Sequence, residues 1–502
     1  MMGHQPRVQK KLFYTRFNLD RHIRKDHILR KINKQINFDF IYYQVKDAYG
    51  NNGNVSVPPP VILKMLLLLI FYNVRSEREL MSTIPERMDW LWFLGYDLDD
   101  EIPNHSVLSK ARARWGVAAF QAFFVRIVRQ CVDAGLVDGS KLFMDGCLMQ
   151  ADASNNSVIN KDSLTRYLNK SYQTLESRLE ELNTDSDDDE DPKPGAANQK
   201  HISTTDPDAS VTRKGKGKSK LKYQVHRGVD GKCEIITATQ VTPGSVNEAH
   251  RMSCLLQLHH QSTGRKAEIC VADSKYGTIE NYLNCFDLGV KSHFESFEKA
   301  HRGTGRQKNI FAKEEFTYNR DEDTFTCPAG KRLKRRKFSR QRQQYEYYMP
   351  KKVCGGCRLR KQCTRSSQGR SLKRQRRQDD LDIMLEQAGS PAAKRDIKTR
   401  QHLMERSFAR GTRYGLKRAR WRRLWRVQIQ EYLTASIQNL MVLLRSIKEP
   451  TAALGKTQPA DTNHEKKLRL QRPLFGFRII VTHFFANLFS LKRSALLCSM
   501  IT

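Results

Sequence analysis

Lys141-Leu-Phe-Met-Asp145-Gly146 is the stretch on which the reading of the fold turns, a short run of buried-strand character that carries an aspartate to a glycine expected to end it. Upstream the pattern is helical, from Phe38 to about Leu136. Pro58 to Pro60 open an apolar segment, Ser76 followed by Glu79 has capping-box spacing, and Asn104-His-Ser106 marks another helix start. Trp90, Trp92, Phe93 and Trp115 are the expected core of this bundle. Its cations Arg75, Arg78, Lys110, Arg112 and Arg114 form either a phosphate-gripping face or an ordinary solvated one.

Downstream, the period alternates. Asp162 to about Leu182 reads as helix, and residues 183–198, with the run Asp185-Ser-Asp-Asp-Asp-Glu-Asp191, read as a linker too charged to pack. Leu221 to Val241 reads as a hairpin around Asp230-Gly231. A helix near Val246 to His259 follows, then a buried strand Ala267 to Asp273, a turn at Gly277 and a helix through Asn284. Strand, hairpin, helix, strand and helix in that order make a mixed α/β sheet with helices on its faces. Residues 298–387 form a basic insertion in which Lys331-Arg-Leu-Lys-Arg-Arg-Lys337 alternates with Tyr345, Tyr347 and Tyr348. Arg420 to Arg445 is an amphipathic helix whose Leu433, Ile437, Leu440 and Leu444 share a face. The expected organisation is an extension 1–37, a helical domain 38–137, an α/β domain 138–447 and a tail 448–502 of no assignable pattern.

Of 502 residues 39% are hydrophobic, enough for packed cores, while 88 Lys and Arg against 53 acids give a net charge of +35. That field attracts polyanions, and nucleic acid is the expected partner. A membrane is not expected. No charged-then-apolar leader occupies Met1 to Lys11, Val61 to Tyr72 is short and holds Lys64, and Phe475 to Leu491 holds Arg478, His483 and Asn487. Eleven cysteines without a framework of pairs fit a reducing cytoplasm. Cys354, Cys357 and Cys363, with Cys327 upstream, either hold a structural Zn2+ as thiolates or are four reduced structural thiols.

Phosphodiester cleavage assisted by two divalent ions needs hard oxygen ligands that converge from separate elements and hold the ions roughly 3.5–4 Å apart. Asp145 and Asp273 each end a strand, which is the usual place for ligands in such sheets. The third acid must come from a helix, and Glu405 precedes the long terminal one. An isolated acid in such a chain is otherwise a surface charge or an ion-pair partner.

Asp145-Gly-Cys-Leu-Met-Gln-Ala-Asp-Ala-Ser154 resembles the segment that carries the first catalytic aspartate in one group of DDE-type bacterial insertion-sequence transposases. Thr205-Asp-Pro-Asp-Ala209, Val271-Ala-Asp-Ser-Lys-Tyr-Gly277, Glu405-Arg-Ser-Phe408 and Gly415-Leu-Lys-Arg-Ala-Arg420 are similar to further motifs of that group, as is the helical region with Ser76-Glu-Arg78 and Asn104-His-Ser106. The resemblance implies an RNase-H-like core after an all-α N-terminal domain, with Asp145, Asp273 and Glu405 as metal ligands for Mg2+ or Mn2+. Asp152, Asp206 and Asp208 are reserve acids. Tyr276 is expected to pack. The implied reaction is hydrolysis at the element's end followed by attack of the freed 3′-hydroxyl on target DNA. Implied partners are terminal inverted repeats and target DNA, with a homodimer on DNA in the bacterial cytoplasm at the nucleoid, and Arg406, Arg410, Arg413, Lys417 and Arg420 as phosphate contacts. Cys147, Asp152 and Thr412 depart from the group's threonine, asparagine and basic residue, with Arg410 or Arg413 as substitutes for the last. Two rivals remain at this level: a decayed or non-catalytic nucleic-acid-binding protein, and a nuclease on the same core that hydrolyses without joining.

Overall fold

The computed structural model describes residues 1–4, 13–14, 17–50, 53–160, 196–213, 218–296 and 310–447. Their elements belong to one compact unit, Met1–Leu164 with Pro194–Leu444. The expected helix at 162–182, most of the acidic linker and the tail lie outside the described residues.

The N-terminal bundle contains α1 (Ile28–Gln35), α2 (Phe40–Val45), α3 (Pro59–Phe71), α4 (Glu77–Thr83), α5 (Met88–Leu94) and α6 (Ser106–Asp133). Its helix starts are where the local chemistry puts them. Prolines occupy the first positions of α3, whose lost N–H groups would be unpaired there anyway. Ser76 Oγ accepts the Glu79 N–H at 3.1 Å, and Asn104 Oδ1 accepts that of Ser106 at 2.9 Å. Helix α3 is buried on every side from Pro59 to Ile70, which explains its lack of a polar face. Trp90, Trp92, Phe93 and Trp115 are buried in the bundle. Leu19, Leu29 and Ile32 join the same core, so the bundle begins well before Phe38.

The sheet contains β1 (Lys141–Gln150), β2 (Ser210–Thr212), β3 (Lys220–Asp230), β4 (Ile236–Pro243), β5 (Ile269–Val271) and β6 (Lys291–His293). β1, β3 and β4 form an antiparallel meander, and β5 and β6 continue it on the other side of β1 as parallel neighbours, in the order β4-β3-β1-β5-β6. β2 pairs with the start of β3. Gly146 does not end β1. The strand runs on to Gln150, and a Cβ at 146 would lie 2.5 Å from Glu248 Oε2 and 2.8 Å from Gln224 Nε2, so those side-chain ends would have to shift.

Helices α7 (Met252–Thr263), α8 (Ile279–Leu288), α9 (Gln378–Gly389), α10 (Pro391–Arg413) and α11 (Leu424–Ser446) surround the sheet. Helix α9 is no part of the basic insertion, since Leu381, Met384 and Ala388 pack into the core with Tyr282 and Phe294. The insertion is a separate antiparallel sheet of β7 (Thr317–Asn319), β8 (Thr324–Thr326), β9 (Arg332–Ser339), β10 (Gln344–Tyr348) and β11 (Ser371–Gln375).

Helix α11 is not simply amphipathic. Every residue from Val427 to Leu440 is buried, polar ones included. The polar residues complete the hydrogen bonding of β4: Gln428 Oε1 accepts from Val241 N at 2.6 Å, and Asn439 exchanges bonds of 2.8 and 2.7 Å with the Ile236 backbone. The helix thereby closes a sheet edge, and its apolar residues pack with the N-terminal bundle in one continuous core.

Candidate active site

β1 and β5 run parallel, pairing Phe143 with Val271, so both chains reach the same end of the sheet. Asp145 lies two residues beyond the last paired residue on β1. Asp273 lies two beyond it on the other strand. Successive residues of a strand face opposite ways. Asp145 therefore shares a face with its cross-strand partner Arg227, while position 146 faces Glu248.

Asp145 is tied to α10 by Arg400, whose Nη1 stands 2.6 Å from its Oδ2, and its Oδ1 accepts the Gly146 N–H at 2.8 Å. Burial pushes the Asp145 carboxyl above its usual range; Arg400 and the Gly146 N–H pull it back, and Asp273 adds to the rise. Asp273 caps the short turn Ser274–Tyr276, its Oδ1 accepting the Lys275 N–H at 3.0 Å. Glu248, 3% exposed, is held by an ion pair with Lys275 and by Gln224 Nε2 at 3.3 Å. Burial raises its carboxyl, the Lys275 ion pair lowers it, and the charges of Asp273 and Asp145 raise it further. Tyr276 packs as expected, but its buried hydroxyl has no hydrogen-bond partner. Burial, then Glu248, Asp145 and Asp273, push it well above its ordinary value.

The two aspartates are thus brought together, and Glu405 is not. It lies on the exposed side of α10, in contact with Gln401 at 3.4 Å. Arg400 is the residue of α10 that reaches Asp145, and five positions along a helix rotate a side chain by about 140° away. The reserve acids serve structure. Asp206 accepts from the Tyr223 hydroxyl at 2.6 Å and from Arg423 N at 2.9 Å, Asp208 caps Leu424 N at 2.8 Å, and Asp152 pairs with Arg418 at 2.9 Å. Thus Asp206 and Asp208 fix the start of α11.

The phosphate candidates also divide. Arg406 and Arg410 pair with Glu234 at 2.6 and 2.8 Å, while Arg413 and Lys417 are exposed. Arg420 is turned inward, bonding the Val74 carbonyl and Asn73 at the end of α3. In the bundle, Arg112 is buried against Glu77 with its guanidinium 4.0 Å from the Trp421 ring centroid, so it belongs to neither a DNA face nor a solvated one.

Sequence reasoning missed Glu248, Lys275 and the role of Arg400. The signals were present only as an acid at a helix start, one cation inside the Val271–Gly277 motif and another five residues before Glu405. Asp145, Asp273 and Glu248 are hard oxygen donors whose charges act on one another, with an unpartnered hydroxyl beside them. Hard oxygen donors of this kind have the chemistry a divalent ion needs. Among the described residues, no three such side chains stand at the spacing of a closed metal site.

Two families match the chain. Transposase domain (DUF772) matches residues 17–114, and the Transposase DDE domain matches 326–444. The chain is a DDE-type insertion-sequence transposase. No curated protein and no solved structure matches it. The first match spans the bundle from before α1 into α6, and the second runs from the end of β8 through α11, including Arg400 and Glu405. Its reaction is metal-dependent DNA cleavage and strand transfer. No helix among the described residues of this transposase is long and apolar enough to cross a membrane.

Proposed function

We propose that the transposase binds the terminal inverted repeats of its own element and cuts and joins them at a site built on Asp145 and Asp273. The observation that carries this reading is the placement of the two aspartates two residues past the last pair between adjacent parallel strands, with the charge of Asp273 acting on Asp145 and both acting on Glu248. The strand order, an antiparallel meander continued by two parallel strands, supports an RNase-H-like core. A divalent ion, Mg2+ or Mn2+, when bound there, supplies an activated water and stabilises charge on the phosphate. Asp145 and Asp273 hold it. Arg400 neutralises Asp145 in the free chain and can turn to a phosphate oxygen. Exposed Arg413 and Lys417 and the cations of β9 neutralise the DNA backbone. Handling two ends at once calls for a homodimer on DNA at the bacterial nucleoid.

Two glutamates compete for the third position. Glu405 carries the motif, lies inside the DDE match and sits on the helix that covers the Asp145 face; in this role α10 must turn to bring it inward. Glu248 is favoured by burial beside Gly146, next to Asp145 in sequence, where the charges of both aspartates reach its carboxylate. The test is end-nicking and strand transfer on DNA carrying the element's ends, with Mg2+ or Mn2+, for wild type, Asp145→Ala, Asp273→Ala, Glu405→Gln and Glu248→Gln. Loss of both products in the two aspartate variants is expected. The glutamate variant that loses them while still binding the ends identifies the third acid. Undiminished nicking by either aspartate variant refutes the site, and nicking without joined product makes the chain a nuclease.

A further inference from the structure

The basic insertion holds a second cluster, one that DNA chemistry does not use. Cys327 follows β8, Cys354 lies in the short helix Lys351–Gly355, Cys357 follows it, and Cys363 ends the helix Arg360–Cys363. All four line one cavity of about 30 Å3, together with Leu333, Met349 and Arg370. That is room for a single ion or water and not for an organic ligand.

Two further observations point to sulfur as the anionic partner. Cys327 heads a tight turn in which its N–H reaches the Lys331 carbonyl and the Gly330 N–H reaches its own carbonyl, both at 2.8 Å, while the Lys331 N–H points at its Sγ at 3.3 Å. A backbone N–H aimed at sulfur favours the thiolate over the thiol. Arg370 reaches the carbonyls of Cys363 and Phe311, each at 2.9 Å, and its Nε is buried without a partner. Arg370 lines the same cavity as the four sulfurs. A desolvated cation beside neutral thiols is costly, whereas beside a thiolate cluster of net negative charge it is balanced.

We propose that Cys327, Cys354, Cys357 and Cys363 form a structural site for one zinc ion, held as four thiolates. Soft sulfur donors select zinc over the hard ions of the aspartate site. Each thiol releases its proton to solvent on binding. The sulfurs do not stand at ligand spacing among the described residues, and closing on the ion draws them inward across the cavity they line. The site answers a need of the insertion, whose buried core among the described residues is Phe316, Phe325, Leu333, Tyr347, Met349, Cys354 and Leu372. A core so small rarely holds an independent sheet, and a metal supplies the missing folding free energy. Fixing β9 in turn fixes the line of cations it presents.

The experiment uses the full chain purified under reductant and without chelator. Metal content by mass spectrometry is expected to be about one zinc per chain, with four thiols slow to react with a thiol reagent until a chelator is added. Replacement by Co2+ should give the intense visible absorption of tetrahedral sulfur coordination, a readout independent of any substitution. Cys357→Ser should lose the ion and Cys357→His should keep it. Chain isolated without stoichiometric zinc, failing to bind added Zn2+ or Co2+ tightly and unfolding identically with and without chelator, overturns the proposal.

Discussion

Replacing Glu431 by Gln should destabilise the transposase by about 3–5 kcal/mol, because it leaves a desolvated guanidinium without its counter-charge. Arg227 and Glu431 are both fully buried, joined by contacts of 2.7 and 3.0 Å. Arg227 also reaches the Ser407 carbonyl at 3.0 Å, and Glu431 Oε1 accepts from Thr239 Oγ1 at 2.9 Å. Glutamine keeps one acceptor but turns its amide toward a guanidinium that already has too many donors. The exposed pair Arg332–Glu322, at 2.7 Å but 62% and 42% exposed, is the internal control: Glu322→Gln should cost less than about 1 kcal/mol. Urea unfolding followed by tryptophan fluorescence at pH 7 gives both values. The double variant Arg227→Met/Glu431→Leu should recover most of the loss, since it removes both charges together. Equal effects of Glu431→Gln and Glu322→Gln, or a double variant worse than the single one, would refute the reasoning. Arg227 lies opposite Asp145 in the sheet, so Glu431→Gln should also lower nicking of DNA ends.

Two other outcomes follow from single positions. Lys64 is pushed down from 10.5 to about 8 by burial, its Nζ donating to the Phe93 carbonyl at 2.9 Å. The folded state therefore binds fewer protons than the unfolded one between these values, and its stability relative to Lys64→Met should rise with pH across that window by about 3 kcal/mol, measured by urea midpoints at pH 7 and 10.5; a flat difference would contradict the burial. Gly146→Ala places a methyl 2.5 Å from Glu248 Oε2, and should cost about 1–3 kcal/mol in stability and reduce strand transfer. A variant as stable and as active as wild type would show that Glu248 has room to move.

The local chemistry of the chain was legible where one short stretch decides the outcome. Proline at the start of α3, Ser76 before α4, Asn104 before α6 and the Asp230-Gly231 corner of the hairpin all act through neighbours in sequence, and each element forms where those residues place it. The motifs around Asp145 and Asp273 were legible for the same reason. What neighbours in sequence cannot specify is which side chains meet across the sheet. Strand β1 runs on past Gly146 because it stays paired with β3 as far as Gln150, a strand far away in the chain. Helix α11 has buried polar residues where periodicity implied a wet face, because the edge of β4 needs their hydrogen bonds. Asp206 and Asp208, equal to any other acid on paper, were claimed by the start of α11, and Arg420 by the end of α3. Sequence by itself determined where the capped helices and the hairpin corner begin, since propensity and capping are local terms. Only tertiary structure decided that Arg400 rather than Glu405 faces Asp145 and that Glu248 joins the aspartates, because desolvation and charge pairing depend on distances between elements far apart in the chain.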